Sequence, residues 1–262
     1  MNFGKDRNSN LSSSAQGFSV DSAFNTKPVP DANTRSTGKV ILEKSKDALE
    51  SQVIRMKNEM GIDLSKHRAR VFVAMDISGS MNLLFKNGCV QNTLTRLLPI
   101  ALRFDDDGML EVYVFNRAAT KMPAMNIKNY ENYVNDVLIQ NGYGPNGGTN
   151  YAPAIGKVVA DYRNNGSQYP AFGIFITDGE NDDYRETDME VRKSSLYRIF
   201  FQFVGIGNEN FKYLKRLDNL TGRKVDNTAF CRISDLNKLT DEELFKKLLE
   251  QYPQWLRAMG IN

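Results

Sequence analysis

The sequence predicts an α/β fold: a doubly wound, mostly parallel sheet with helices on both faces, preceded by an N-terminal helix. Apolar runs of strand length alternate with amphipathic helical patterns through residues 68–256. The predicted strands 68–76 and 171–177 are almost wholly apolar, which is typical of parallel strands that helices cover on both faces. An aspartate stands at the end of each of these strands, where ligands gather in folds of this kind.

The predicted elements follow one another with short connections. Strands are expected at 68–76, 109–115, 118–121, 171–177, 199–204 and 224–232. Helices are expected at 91–104, 129–140, 152–164, 186–195, 211–220 and 241–256. The last helix should start with Thr240 as its N-cap and Glu243 as the capping-box partner, and Pro253 should kink its final turns.

Composition divides the chain into four segments. Residues 1–37 are rich in Ser, Asn, Asp and Thr and predict a flexible tail, because so few apolar side chains cannot offset the entropy lost on ordering. Residues 38–66 predict a helical extension, 67–258 the main domain and 259–262 a C-terminal tail. The helical pattern of the extension places its apolar residues on one face: Ile41, Ala48, Leu49, Val53, Met56 and Met60.

Size and charge exclude several classes of protein. The 262 residues suffice for one large domain, and 41% hydrophobic with 25% charged residues is an ordinary globular balance. A net charge of +3 without a dense Lys/Arg block argues against a nucleic-acid partner. No apolar run approaches ~18 residues, so no membrane span is predicted. The N-terminus lacks the apolar core of a signal peptide, and we expect a cytoplasmic protein.

A metal-binding turn is predicted directly after the first strand. Asp76, Ser78 and Ser80 offer one carboxylate and two hydroxyls from alternate residues, and Gly79 allows a tight bend between them. Mg²⁺ and similar hard cations take oxygen ligands in near-octahedral geometry at about 2.0–2.1 Å. The pattern therefore predicts that the function depends on Mg²⁺ or Mn²⁺.

Two more oxygen ligands are expected from elsewhere in the chain. Asp178 ends the strand 171–177, and it meets Asp76 at one rim if the two strands are neighbours. Thr149 follows the flexible pair Gly147–Gly148 and can reach the same cation from its loop. Taken singly, each of these residues has a plain alternative as a helix cap or turn residue. The set of five favours the metal site.

Other chemistries are disfavoured by the residues present. His67 is the only histidine and lies at the start of the first strand, about 30 Å from its end, so it cannot form a Ser-His-Asp triad with Asp76. One histidine and the separated Cys89 and Cys231 do not supply the usual zinc ligands. The run 105–107 is acidic but lacks the later Glu of a calcium loop, so a turn is the simpler interpretation.

Several residues around the metal turn are candidates for a partner-binding rim. Leu83, Leu84 and Phe85 either pack beneath the loop or form an apolar rim. Tyr143 and Tyr151 flank the threonine loop and are expected to line the same surface. Glu180, with Asp182 and Asp183, follows the second carboxylate; a solvated acidic loop is favoured over direct metal ligation for all three.

The five ligand positions, in this order on an α/β frame, resemble the metal-ion-dependent adhesion site of von Willebrand factor A (vWA) domains. The resemblance covers about residues 68–256. A narrower likeness points to the bacterial tellurium-resistance (TerF-like) and copine-like branch. It rests on Asp76-Ile-Ser-Gly-Ser-Met81, Gly88-Cys-Val-Gln91, Phe104-Asp-Asp-Asp-Gly108, Gly147-Gly-Thr-Asn-Tyr-Ala-Pro153, Phe203-Val-Gly-Ile-Gly207 and Gln251-Tyr-Pro-Gln-Trp255.

The resemblance implies a role for each ligand. In the family, the residues at Ser78, Ser80 and Thr149 bind the ion directly, whereas those at Asp76 and Asp178 act largely through water. Neutral direct ligands leave most of the cation's charge uncompensated, so a partner's carboxylate makes a strong contact there. The resemblance therefore implies a non-enzymatic protein-binding module. The branch it points to is cytoplasmic and linked to stress and tellurite response.

Two other functions remain open from the sequence. A metal-dependent phosphohydrolase also places an Asp at the end of its first strand, but Ser78 stands where such enzymes use a second Asp as acid and base. An adaptor subunit of an ATPase or chelatase machine differs from the binding module only in its partner.

Overall fold

The computed structural model describes residues 32–163 and 166–261, with side chains from Thr37 onward. One six-stranded sheet runs in the order β3-β2-β1-β4-β5-β6. All neighbouring strands are parallel except β2 and β3, which are antiparallel. The strands are β1 Arg70–Asp76, β2 Leu110–Phe115, β3 Ala119–Met125, β4 Ala171–Thr177, β5 Ile199–Ile206 and β6 Thr228–Ile233. The predicted fold class is confirmed.

Helices cover both faces of the sheet. They are α1 Ala32–Met60, α2 Asn82–Lys86, α3 Cys89–Phe104, α4 Ala152–Tyr162, α5 Tyr184–Ser194, α6 Lys212–Asp218, α7 Asp241–Leu249 and α8 Tyr252–Ala258. One buried core joins the sheet to α1, α3, α7 and α8. A second core joins the opposite face to α4, α5 and α6. Apolar side chains on both faces explain why β1, β4 and β5 read as continuous hydrophobic runs.

The central pair of strands forms the topological switch point of the sheet. From β1 the chain continues through β2 to β3 on one side, and from β4 through β5 to β6 on the other. β1 and β4 are direct neighbours, with Met75 paired to Ile176 near their carboxyl ends. Loops diverge at such a point and leave a crevice at the carboxyl edge, where ligands of open α/β sheets bind.

The N-terminal helix begins earlier than the sequence predicts. Residues 32–37, assigned to the flexible tail, are helical, while residues 1–31 lie outside the described part of the chain. Extending an existing helix costs less than nucleating one, so the packed turns from Leu42 to Met56 can extend the helix into weak helix formers. The remaining segment boundaries stay predictions.

Two predicted helices are wrong in form. The segment 241–256 is two helices, α7 and α8, because Pro253 in the first turn of α8 has no N–H and its ring would clash with a continuing α7. The capping box of Thr240 and Glu243 is confirmed at the start of α7. The segment 129–140 is a mixed helical stretch: 3₁₀ turns at Tyr130–Asn132 and Ile139–Asn141 enclose a π-helical turn at Val134–Leu138.

Helix α1 is joined to the domain by a partly buried polar cluster as well as by apolar packing. Arg96 of α3 donates to Asp241 Oδ1 of α7 at 2.5 Å, and Ser45 of α1 donates to Asp241 Oδ2 at 2.9 Å. Arg96 also donates to the carbonyls of Leu236 and Leu239, at 2.7 Å each. Three helices therefore meet at one carboxylate. No helix within residues 32–163 and 166–261 has the length and hydropathy of a membrane span.

Candidate metal centre

The predicted turn lies at the carboxyl edge of the sheet, above the β1–β4 pair. Asp76 is the last residue of β1, and the 3₁₀ turn Gly79–Met81 follows it. Asp178 comes directly after β4. Because β1 and β4 are neighbours, the expectation that both carboxylates stand at one rim is met by the geometry.

Hydrogen bonds connect four of the five predicted ligand residues, and the first of these bonds comes from a backbone amide. Asp76 Oδ1 accepts from the Ser78 backbone N–H at 2.7 Å. The hydroxyls of Ser78 and Ser80 lie 3.1 Å apart, and Ser80 Oγ donates to Asp178 Oδ1 at 2.7 Å. Adjacent ligands of an octahedral ion bound at about 2.1 Å are separated by about 3.0 Å. The oxygen–oxygen separations between Ser78 and Ser80 and between Ser80 and Asp178 therefore fit a small hard cation.

Thr149 lies in a neighbouring loop that is tied to the metal turn through the backbone. Gly79 N donates to Gly147 O at 3.1 Å, and Asn146 N donates to Ile77 O at 2.8 Å. The Thr149 side chain is largely covered, at 9% exposed. Within the described ranges, its hydroxyl makes no hydrogen bond to the other four ligands. The structure thus places Thr149 on the adjoining loop, without a hydrogen bond to the other four predicted ligand residues.

Sequence reasoning missed a buried support beneath the site. Thr177 Oγ1 donates to Asp76 Oδ2 at 2.6 Å. Tyr151 Oη donates to Gly179 O at 2.6 Å and lies 3.2 Å from Thr177 Oγ1. Both Asp76 oxygens therefore have a partner in the protein. The available signal was that Thr177 is the one polar residue in the apolar run of β4.

Asp183 has a structural role that the solvated-loop interpretation did not include. Its carboxylate accepts from the backbone N–H groups of Tyr151 at 2.9 Å and Ala152 at 2.8 Å. These are the first amides of α4, which have no partner inside the helix. Asp182 N also donates to Thr149 O at 2.8 Å, so the loop after β4 braces the threonine loop.

Burial perturbs both site carboxylates. It raises the pKa of Asp76 to about 6 against the hydrogen bonds from Thr177 and Ser78, which lower it. Burial also raises the pKa of Asp178, and the negative charge of Glu209 adds to the shift. No described Lys or Arg forms an ion pair with either carboxylate. Desolvated carboxylates without a counter-charge are costly, and a bound dication would relieve that cost.

The structure divides the predicted rim residues into three groups. Leu83 in the short helix α2 is 71% exposed and accessible to a partner. Leu84, Phe85 and Tyr143 are partly buried against the core, so packing accounts for them. Tyr151 was predicted to line the surface but is 0% exposed; that prediction is wrong, because its ring fills the core beneath the site. Glu180 is half-buried and accepts from Tyr213 N at 3.2 Å.

The residues that the sequence disfavours as catalytic or metal-binding groups lie away from this edge. His67 is buried before the start of β1, where its Nε2 lies 2.9 Å from Tyr252 Oη of α8. The 105–107 carboxylate oxygens lie within 4.8 Å of one another, but they bind local backbone: Asp105 accepts from Val71 N and Asp107 from Met109 N. This acidic turn is at the amino edge of the sheet, opposite the metal turn.

This sheet order, with Asp-x-Ser-x-Ser after β1 and an aspartate after β4, defines a von Willebrand factor A-type domain. The chain belongs to the family described as vWA-TerF-like, a vWA domain found in the TerF C terminus, which matches residues 68–261. Domains of this family commonly bind metal at the adhesion site and mediate protein interactions. Helix α1 precedes the matched region.

One curated relative is an uncharacterized protein, YcbR of Bacillus subtilis (strain 168). It is 40% identical over 196 residues, which is 74% of this chain and 80% of YcbR.

Solved vWA structures share the fold at low sequence identity. Proximal thread matrix protein 1 from the mussel byssus, with a zinc-occupied adhesion site, has a TM-score of 0.52 at 18% identity, covering 71% of this chain and 46% of that protein. The SpRpn10 vWA domain has a TM-score of 0.50 at 10% identity, covering 69% and 95%.

Proposed function

We propose that this chain is a non-catalytic protein-binding module that docks an acidic side chain of a partner protein on Mg²⁺ or Mn²⁺. The proposed ligands are Asp76, Ser78, Ser80, Thr149 and Asp178. The observation that supports it best is the hydrogen-bonded series of oxygens from Ser78 through Ser80 to Asp178, whose spacing suits an octahedral cation and which has no ion pair with a basic side chain in the described part of the chain.

The donor set favours docking over catalysis. Three of the five side chains are neutral hydroxyls, so a dication bound there would keep much of its charge available to an incoming carboxylate. The two carboxylates are engaged by Thr177, Ser78 and Ser80, which orient them. The one histidine is buried beyond the opposite edge, so it offers no general base at this site.

The biological setting is proposed from the family. Membership of the TerF-like branch supports a role in bacterial tellurite or stress resistance, and the cytoplasmic location expected from the sequence is part of this proposal. The zinc-occupied adhesion site of the mussel protein makes zinc a necessary comparison when the metal is identified.

The other functions named from the sequence have no structural observation in their favour. A phosphohydrolase needs an acid–base group beside Asp76, and the neighbouring positions present Ser78 and Thr177. Turnover of a generic phosphate ester that disappears in Asp76→Asn would revive it. An adaptor role within an ATPase machine would use the same site and would differ from the proposed function only in the partner that binds there.

The test is calorimetric titration of the EDTA-treated full chain with Mg²⁺, Mn²⁺ and Zn²⁺. We expect saturable binding of one ion, weakened at least about tenfold by Asp76→Ala or Thr149→Ala. Asp106→Ala, in the acidic turn at the other edge, is the matched control and should bind as the wild type does. Equal binding by all four proteins would refute the site.

A further inference from the structure

The loops at the carboxyl edge stand in a fixed order set by the sheet. Strands β2, β1, β4 and β5 are consecutive neighbours. The turn after β2 carries Arg117, the turn after β1 carries Ser78 and Ser80, and the segment after β5 carries Glu209. The proposed metal site, between β1 and β4, is therefore flanked by a basic residue on one side and an acidic residue on the other.

Arg117 is an exposed guanidinium beside the threonine loop. Its turn is fixed to that loop by Asn116, whose carbonyl accepts from Asn150 N at 2.8 Å. Gly148 leaves room for the side chain, because a Cβ there would lie 3.3 Å from Arg117 Nε and 3.0 Å from Asp182 Oδ2. In residues 32–163 and 166–261, Arg117 has no hydrogen bond or ion pair, not even with Asp182. Its charge remains available to a ligand.

A groove of about 610 Å³ lies on the other flank, lined in part by Glu180, Tyr184, Glu209, Lys212, Tyr213 and Arg216. Tyr184 is 45% exposed and stacks on Tyr213 with ring centroids 4.4 Å apart. Arg216 is neutralised by two hydrogen bonds to Asp188. Glu209 is exposed and has no hydrogen bond or ion pair among the described residues.

The charges of this groove favour a cation. Glu180 and Glu209 line the groove with Lys212 and Arg216, and Arg216 is held by Asp188 outside the lining, so Lys212 is the lining cation left to face the two carboxylates. An exposed tyrosine face beside carboxylates is a favourable site for a lysine or arginine head group.

The strands that lead to the three features are spaced like alternate residues of an extended peptide. Neighbouring strands lie about 4.8 Å apart, so a site between β1 and β4 is about 7 Å from β2 and from β5. Alternate residues of an extended chain point to the same side and are separated by about 6.6 Å. Three alternate side chains can therefore meet Arg117, the metal and the groove together.

We propose that the partner contributes an extended segment with the charge order acid-x-acid-x-base across this edge. The outer acid faces Arg117, the central acid meets the metal, and the base enters the groove beside Glu209 and Tyr184. The partner segment can run in either direction across the edge, so the reverse order, base-x-acid-x-acid, is equally compatible. The inference rests on the proposed function, since the central acid needs the bound cation.

The experiment pans a displayed library of random twelve-residue peptides on the immobilised full chain in Mg²⁺ or Mn²⁺, with elution by EDTA. We expect the eluted peptides to share the acid-x-acid-x-base order or its reverse. Panning on Arg117→Glu should select peptides with a base in place of the outer acid. Panning on Glu209→Lys should select peptides with an acid in place of the base. A synthetic consensus peptide should bind Arg117→Glu about tenfold or more weakly than the wild type.

Lys66→Glu is the matched control for Arg117→Glu, because it makes the same charge change before the start of β1, at the opposite edge. It should keep the wild-type consensus, and thermal unfolding of each variant establishes that it is folded. EDTA-eluted peptides with one acid and no charge preference two residues away would overturn the inference and leave the metal site intact. A consensus unchanged by both charge reversals would overturn it too. Peptides retained in EDTA would refute the proposed function itself.

Discussion

At the scale of single residues, the most consequential contact is between Thr177 and Asp76. A buried carboxylate holds one orientation only when its oxygens have fixed partners, and the Thr177 hydroxyl and the Ser78 amide provide them. Asp76 can then face the serine hydroxyls without rotating. Thr177 is thus a positioning residue for the proposed metal site.

Thr177→Val tests this role with little change in shape. The variant leaves Asp76 Oδ2 without its partner in a buried position, so we expect the unfolding free energy to fall by about 1–3 kcal/mol. We also expect about tenfold weaker metal binding by calorimetry, since the carboxylate loses its orientation. Thr120→Val on the edge strand β3 is the control. Metal affinity within about twofold of the wild type would contradict the role.

His67 makes the stability depend on pH. Burial, with the nearby charges of Arg103 and Arg68, lowers its pKa from 6.5 to about 4 in the folded chain. The unfolded chain therefore binds a proton first as the pH falls, and the stability present above pH 6.5 is lost progressively as the pH falls through about 4. The side chain is 7% exposed, and the full loss amounts to about 3 kcal/mol.

Urea unfolding of the wild type and His67→Gln in EDTA, between pH 7 and pH 4, measures this contribution. The wild type should lose up to about 3 kcal/mol more than the variant over that range, because only the wild type carries the imidazole. Parallel curves for the two proteins would show that His67 is not the titrating group.

The five proposed ligands could be predicted as a set, although each of them alone is an ordinary turn or cap residue. Asp76 and Asp178 interrupt strand ends, and hydroxyls recur at alternate positions after the first. Tyr151 was wrongly predicted to lie on the rim, because the sequence next to a loop does not distinguish a tyrosine that faces water from one that faces the core. Only the packing of α4 against β4 decides that it is buried.

At the scale of elements, α1 belongs to the folded domain although it precedes the family match. Its buried apolar face packs in the same core as α3 and α7. The cluster of Arg96, Asp241 and Ser45 sets how these helices meet, since the guanidinium also satisfies two carbonyls before α7. The position of α7 is therefore coupled to α1.

Arg96→Met measures the strength of that cluster. The change leaves the Asp241 carboxylate and two carbonyls without their donor, so we expect a loss of about 3 kcal/mol in the unfolding free energy. Ser45→Ala should cost about 1 kcal/mol. Arg55→Met, which breaks the exposed pair with Glu59, should change stability by less than about 0.5 kcal/mol. Equal effects of Arg96→Met and Arg55→Met would contradict the account.

The sequence predicted elements well where the apolar period was strong and less well where local chemistry competes. The hydrophobic pattern alone was enough to predict the strands of the parallel sheet and helix α3. The break between α7 and α8 depended on whether Pro253 kinks or ends a helix, and both outcomes satisfy its missing N–H. Strand β3 extends to Met125 through Pro123, because an edge strand tolerates a residue that cannot donate.

At the scale of the whole molecule, the proposed site lies where the two halves of the sheet diverge. The serine turn belongs to the side of β1 and β2, whereas Asp178 belongs to the side of β4 and β5. A cation shared between them would join both halves of the sheet at the edge where the proposed partner docks. Strand order cannot be read from the apolar pattern of single strands, so the meeting of Asp76 and Asp178 required the structure or the family resemblance.

The most direct measurement is the anomalous difference density of a crystal grown with Mn²⁺. The account predicts one strong peak about 2.1 Å from the hydroxyls of Ser78, Ser80 and Thr149, with Asp76 and Asp178 around it. The result that would contradict it is a peak only at the acidic turn 105–107, or no peak with the five side chains too far apart to share an ion.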